Sequence, residues 1–208
     1  MKMDVKLAIE SGDPSALRRL LSDDSSRANE LIHWGPCVTH PLHYISDMLF
    51  NGTLQRGKEV PLAEALIEAG ADLNFQRDGK GDTPLIGAAS LGAEDVGIRL
   101  VDAGANPLPR GLFGETALHW AGMLGEDRLV AKLIPRSDLN LKDRKYDSPP
   151  LGWAIHGWSN SPAGSHGHQR EVVALLLAAG AKVEADWLSS EKVQADAEIL
   201  ETMKAATL

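Results

Sequence analysis

Three histidines near residue 160 are the first candidate for chemistry in this chain of 208 residues. His156, His166 and His168 lie in or beside a segment rich in Gly, Ser and Pro, and three imidazoles in such a loop could ligate zinc. No Cys or carboxylate accompanies them within the segment, and Gly-rich loops often carry incidental polar residues. A zinc-binding protein or small metal-dependent enzyme is therefore kept as the alternative function, while we expect no metal and no cofactor.

Other reactive patterns are weaker. Arg77–Thr83 superficially resembles a phosphate-binding loop but lacks its Gly-x-x-x-x-Gly-Lys-Ser/Thr spacing. Cys37 precedes His40 and His43, as a thiol and its base could, although an incidental thiol in a turn is favoured. Four carboxylates could pair as general acid and base, but they recur about once per repeat at the tips of predicted turns, where we expect them to be solvated, with no apolar pocket to raise a pKa: Asp82, Glu115, Asp143 and Asp147. These patterns predict a protein that is not an enzyme.

The composition of the chain argues against several classes of protein. The formal net charge of −8 argues against binding a nucleic acid, which requires clustered Lys and Arg. Hydrophobic residues make up 43% and charged residues 24%, as in globular proteins. Cys37 is the only cysteine, so no intrachain disulfide can form. No stretch approaches the roughly 20 apolar residues of a membrane span, and no signal-length apolar run opens the chain. We expect a soluble, cytoplasmic protein that does not bind membranes.

An internal repeat underlies this composition. Leu85, Leu118 and Leu151 each begin a Leu-x-x-Ala frame, at a spacing of 33 residues. An earlier frame begins at Leu42, 43 residues before Leu85, and a degenerate one begins at Val5. Each frame is followed by a second apolar pair, and in three cases by Gly-Ala. Each unit therefore predicts helix, turn and helix, with a glycine ending the second helix in a left-handed conformation.

The motifs of this repeat resemble the ankyrin repeat. The resemblance rests on Gly81–Ala88 and Gly114–Ala121, on the Gly-Ala-Asp-Leu-Asn sequence of residues 70–74, and on Glu171–Ala181. It implies an all-α ankyrin-repeat solenoid of about five helix-turn-helix repeats with a C-terminal capping helix, forming one domain over 1–208. The predicted boundaries are 3–36, 37–79, 80–112, 113–145 and 146–188, with the cap at 189–208.

Several positions depart from the family pattern. His40 and Pro149 stand where Thr is usual, and Ile86 and Gly152 stand where His is usual. Inserts of about ten residues are predicted between the helices of two repeats, at about 50–59 and 158–167, where they could extend or gate a binding surface. The segment from Glu191 to Met203 predicts a single closing helix.

The resemblance implies that the concave face and the turns between repeats bind another protein, with the chain itself a monomer. Exposed Trp, Tyr, Met and Arg are also the residue types that dominate binding hot spots. The candidate partner-binding residues are Tyr44, Arg77, Lys80, Arg110, Phe113, Trp120, Met123, Arg144, Tyr146, Trp153, His156 and Trp158.

Packing and ordinary solvated charge are the competing explanations for these residues. Tyr44, Trp120 and Trp153 could instead fill the groove between repeats, and the Arg and Lys side chains could simply be solvated. Residues 140–148 carry a net charge of +1, which suggests at most a preference for a partner with acidic patches. His43 and His119 occupy the signature position, where the resemblance implies a ring bonded to the backbone of a turn.

Overall fold

A computed structural model describes residues 3–160 and 168–207, with Asp78 described by its backbone alone. The described residues divide between Pro109 and Arg110 into two compact units. Helices dominate both units, which confirms the predicted all-α class. The single domain over 1–208 and the repeat boundaries stay predictions.

In its described part the first unit consists of three helix pairs and a hairpin. The helices are α1 (Val5–Glu10), α2 (Pro14–Asp23), α3 (Pro41–Phe50), α4 (Glu59–Glu68), α5 (Pro84–Ser90) and α6 (Glu94–Asp102). The hairpin pairs strands β1 (Ile32–Trp34) and β2 (Cys37–Thr39) in antiparallel register. It lies between the first two helix pairs, where the sequence predicted only a turn.

The second unit contains two further pairs and a closing segment. The pairs are α7 (Ala117–Leu124) with α8 (Asp127–Leu133), and α9 (Pro150–Asn160) with α10 (Gln169–Ala178). The closing segment comprises α11 (Ala185–Leu188), α12 (Glu191–Gln194) and α13 (Ala197–Ala205).

The prediction of one closing helix over Glu191–Met203 is therefore wrong. Asp196 separates α12 from α13 with an extended backbone, and its carboxylate accepts the backbone N–H of Ile199 at 3.1 Å. The same carboxylate pairs with Arg170 of α10. An aspartate that caps a helix favours a break at its own position.

Side-chain caps explain where several helices begin. Asp13 accepts the N–H of Ala16 at 2.9 Å, and Pro14 occupies the first helical position, as predicted. Thr83 caps α5 in the same way. At His40, where the family uses Thr, Nδ1 of the ring accepts the N–H of Leu42 at 3.3 Å, so this departure keeps the capping function.

The repeated apolar frame forms the core, as its spacing predicted. The first residue of each frame is buried, and so is the fourth: Val5, Ala8, Leu42, Ile45, Leu85, Ala88, Leu118, Ala121, Leu151 and Ala154. Gly70 and Gly180 follow the second helices of their pairs with φ of +87° and +96°. These values confirm the predicted left-handed helix ends.

Histidines of the signature position tie helices to turns. Nε2 of His43 donates to the carbonyl of Asp82 at 3.0 Å, and Nε2 of His119 donates to that of Leu141 at 3.1 Å. Nδ1 of His119 accepts the N–H of Thr116 at 3.1 Å, so the ring is neutral. Burial lowers the pKa of both rings to about 4. The structural role implied for these two histidines is confirmed.

The two predicted inserts fall close to, but not at, their expected bounds. α3 ends at Phe50 and α4 begins at Glu59, so the first insert comprises residues 51–58 instead of 50–59. The second begins later than predicted, because α9 continues through Trp158 to Asn160. The rest of that insert, including His166, lies outside the described residues.

The neutral histidines make stability depend on pH. His40 also has a pKa lowered to about 4 by burial, against 6.5 for an unperturbed histidine. Between these values the unfolded chain binds more protons, so we expect the free energy of unfolding to fall on acidification from pH 6.5 toward pH 4. The maximum is about 1.4 kcal/mol per pH unit for each of the three rings. Urea unfolding followed by circular dichroism at several pH values measures it. His119→Gln should flatten the slope, and an unchanged slope would contradict this origin.

Candidate functional site

Helices α7 and α9 and the turn that precedes α9 surround an open cavity in the second unit. Its volume is about 410 Å³. We call it the aromatic pocket, and its lining consists of Trp120, Met123, Tyr146, Ser148, Gly152, Trp153 and His156. Five of these seven residues belong to the set that the sequence predicted for partner binding.

The two helices approach closely because small residues face each other. A Cβ at Gly157 of α9 would collide with the backbone carbonyl of Met123 in α7. A Cβ at Gly122 would lie 3.2 Å from the carbonyl of Pro150. Glycine at these positions therefore permits the backbone contact that brings the pocket-lining residues of α7 and α9 together.

Ring contacts form the walls of the aromatic pocket. The rings of Trp120 and Trp153 meet edge to face with centroids 4.9 Å apart, and Tyr146 meets Trp153 in the same way at 5.8 Å. His119 contacts Trp153 from another side at 5.5 Å. Trp153 is thus a buried hub, whereas Trp120 and Met123 are only half-buried. The walls are positioned by packing before any ligand arrives.

Two buried carboxylates stand behind these walls. Asp143 is 3% exposed and accepts the backbone N–H groups of Lys145, Tyr146 and Ser148, together with the indole N–H of Trp153 at 3.0 Å. Burial alone would raise the pKa of Asp143, but these four donors together lower it.

Glu115, in the turn that precedes α7, is a second buried carboxylate that accepts backbone and indole N–H groups. It is 1% exposed and accepts the N–H of Phe113 at 2.8 Å and the indole N–H of Trp120 at 3.2 Å. The expectation that the carboxylates at these turns are solvated is wrong for Asp143 and Glu115. Their solvation is replaced by N–H donors that the turn backbone and the indoles supply.

An exposed apolar surface adjoins the pocket at the tips of the turns. We call it the turn-tip patch: Leu112, Phe113, Lys145 and Tyr146. Leu112 is 66% exposed, Phe113 39% and Tyr146 61%. The ammonium of Lys145 lies 4.3 Å from the ring centroid of Phe113 and 5.0 Å from that of Tyr146. The N–H of Arg144 donates to the carbonyl of Phe113 at 2.8 Å, which joins the two turns.

Two predicted arginines brace these turns. Nε of Arg110 donates to the carbonyl of Gly114 at 2.6 Å, and its Nη2 donates to that of Lys142 at 2.5 Å. Nη2 of Arg144 donates to the carbonyl of Gly111 at 3.3 Å. Their guanidinium groups are therefore engaged with backbone carbonyls in the structure.

The remaining predicted residues lie away from the pocket. Tyr44 is fully buried in the first unit, where its hydroxyl donates to Glu10 at 2.5 Å, so packing, the alternative kept for it, describes its place. Trp158 is a buried residue of α9 beside Arg170 rather than part of an insert. Arg77 and Lys80 are exposed at a turn of the first unit.

The other chemical candidates do not assemble a centre among residues 3–160 and 168–207. No group of three or more potential metal ligands occurs there. His156 is exposed, and Nδ1 of His168 faces Asp127 at 3.4 Å. Cys37 is exposed on β2, while both ring nitrogens of His40 are within hydrogen-bonding distance of other groups. Across the same residues no helix has the length and apolar character needed to cross a membrane.

Comparison with known proteins agrees with this architecture. Residues 51–143 match the family model for ankyrin repeats in three copies. A segment of 74 residues is 35% identical to human 2-5A-dependent ribonuclease. That match covers 36% of this chain and 10% of the relative, so the chain spans about a tenth of the length of that protein. The similarity to ankyrin repeats thus extends over residues 51–143, which is somewhat less than half of the chain.

The carboxylate of Asp143 gives a test of how the site is held. We expect Asp143→Asn to lower the free energy of unfolding by about 2 kcal/mol at neutral pH, because an amide offers one acceptor oxygen where the carboxylate offers two. Since the pKa of Asp143 is lowered, its contribution exists above about pH 3.8 and is lost as the pH falls further. The difference between variant and wild type should therefore shrink in acid, as chemical denaturation will show.

Asp147→Asn is the matched control for that measurement. Asp147 is exposed and has a φ of +50°, which asparagine tolerates, and its pair with Lys142 at 3.5 Å is a surface pair. Its replacement should change stability by less than about 1 kcal/mol. Equal losses in the two variants would show that the four hydrogen bonds of Asp143 do not hold the turn.

Proposed function

We propose that this chain is a protein-interaction module that binds a partner protein through the aromatic pocket and the turn-tip patch. Ankyrin repeats are generally protein-interaction modules, and the observation that carries the present assignment is the exposed patch beside an open, preformed pocket. Leu112, Phe113 and Tyr146 leave apolar surface in water that packing within the described chain does not use.

Preorganisation supports this proposal. Trp120 and Trp153 are held by ring contacts and by hydrogen bonds to Glu115 and Asp143, and the turns are held by backbone hydrogen bonds. Binding a partner would therefore cost little conformational entropy, because this surface is already ordered. Aromatic residues and Met at a half-buried pocket are also the types enriched in binding hot spots.

We propose a role without catalysis. Asp143 and Glu115, whose carboxylates accept the indole N–H groups of the pocket lining, are occupied by hydrogen-bond donors. The ribonuclease named above matches over only 10% of its length, so its activity is not transferred to this chain. The absence of a nucleic-acid partner, a monomeric state and a cytoplasmic location stay predictions from composition and resemblance.

Affinity capture with paired variants tests the proposal. The tagged chain serves as bait in a lysate of its source cells, and captured proteins are quantified by mass spectrometry. We expect at least one specific partner whose recovery falls about tenfold or more with Tyr146→Ala or Phe113→Ala, the loss typical of a hot-spot residue.

Phe50→Ala is the matched control, because Phe50 is an exposed aromatic, 70% accessible, in the first unit. Its capture profile should equal that of the wild type, and thermal melting should show all variants folded. Partner recovery that is insensitive to both site variants would contradict the assigned surface.

A further inference from the structure

We infer that the aromatic pocket accepts a cationic side chain, a lysine or arginine of the partner protein. The inference rests on the proposed function, since it names the chemistry of the group that enters the pocket. It is carried by three observations: the two carboxylates behind the walls, the use of the indole N–H groups, and the position of the neighbouring cations.

Two buried carboxylates bring negative charge close to the lining of the pocket. Glu115 and Asp143 are both almost completely buried, and neither belongs to any ion pair formed by the described residues. N–H dipoles satisfy them instead, and dipoles leave the net charge in place. Buried charges are screened by salt much less than exposed ones, so we expect these two carboxylates to favour a cation in the adjoining pocket.

The aromatic walls favour the same sign of charge. The indole N–H groups of Trp120 and Trp153 are directed to Glu115 and Asp143, so they are not available to an anion in the pocket. Ring surface for a ligand comes mainly from Trp120, which is half-buried, and Tyr146, which is 61% exposed. The quadrupole of an aromatic ring attracts cations to its faces, so these rings favour a cationic ligand over an anionic one.

Four cations lie near the pocket, and they differ in what they contact. Lys142 pairs with Glu184 at 2.8 Å and Asp147 at 3.5 Å. Arg110 and Arg144 bind backbone carbonyls, which hold the two guanidinium groups at the turns and leave their charges in place. Lys145 opposes a second cation at Tyr146, but its own position over that ring shows that the turn already holds an ammonium by this interaction. His156, the remaining titratable group of the lining, is exposed at the edge and bonds to Asn160.

A pair of small molecules of equal shape tests the inference. Choline and 3,3-dimethylbutan-1-ol differ in one atom, a charged nitrogen against a neutral carbon. Each is titrated into the whole ¹⁵N-labelled chain, and the indole N–H signals of Trp120 and Trp153 are followed by NMR. We expect saturable shifts with choline, and at least about fivefold weaker binding of the neutral alcohol. The N-acetyl amides of lysine, arginine and norleucine then show which natural side chain binds.

Variants locate the effect. Tyr146→Ala should weaken choline binding, Lys145→Gln should strengthen it by removing the competing charge, and Phe50→Ala should leave it unchanged.

Equal affinity for choline and its neutral analogue would overturn the inference in favour of an apolar occupant, and the absence of shifts with any cationic probe would also overturn it. Either result, obtained while partner capture still depends on Tyr146, would leave the proposed function standing. Loss of that dependence in the capture experiment would remove the proposed function itself.

Discussion

The hydrogen bonds to one buried carboxylate hold the second unit's turn and pocket together. Asp143 gathers three backbone N–H groups of its own turn and the indole N–H of a residue in α9. The turn is thereby attached to the helix, which places Tyr146 against Trp153. A carboxylate suits this position because its two oxygens can accept four donors. The same donors keep the buried group ionised, so the shape of the pocket and its charge have one cause.

Neutral histidines link the starts of two helices to neighbouring turns. A neutral histidine has one nitrogen that accepts and one that donates, so His119 can accept from Thr116 and donate to Leu141 without carrying charge into the core. His43 makes the same kind of link to Asp82. The contact also restricts its neighbour, since a Cβ at Gly87 would lie 2.6 Å from Nδ1 of His43. Interlocking of this kind couples residues about 40 positions apart into one packing unit.

The sequence predicted those features that depend on spacing. The 33-residue frame located α5, α7 and α9, because apolar residues three apart on a helix share a face. Burial of Tyr44 was not predictable in this way. Tyr44 occupies the same column as Trp120, but Glu10 and Trp34 contact it, and Trp34 belongs to a hairpin with no counterpart in the repeat. Periodicity identifies the face of a helix, and only the neighbouring elements decide whether that face is covered.

A charge count from the sequence also leaves out which charges are buried. Residues 140–148 sum to +1, a count that suggests at most a preference for a partner with acidic patches. The count treats every charge alike, whereas solvent and ion pairing weaken Lys142 and burial strengthens the influence of Asp143. The donors that permit this burial are mainly backbone groups, which composition does not reveal. The cationic group that we propose for the pocket is therefore inferred from the place of Asp143 beside Trp153, which a charge count does not contain.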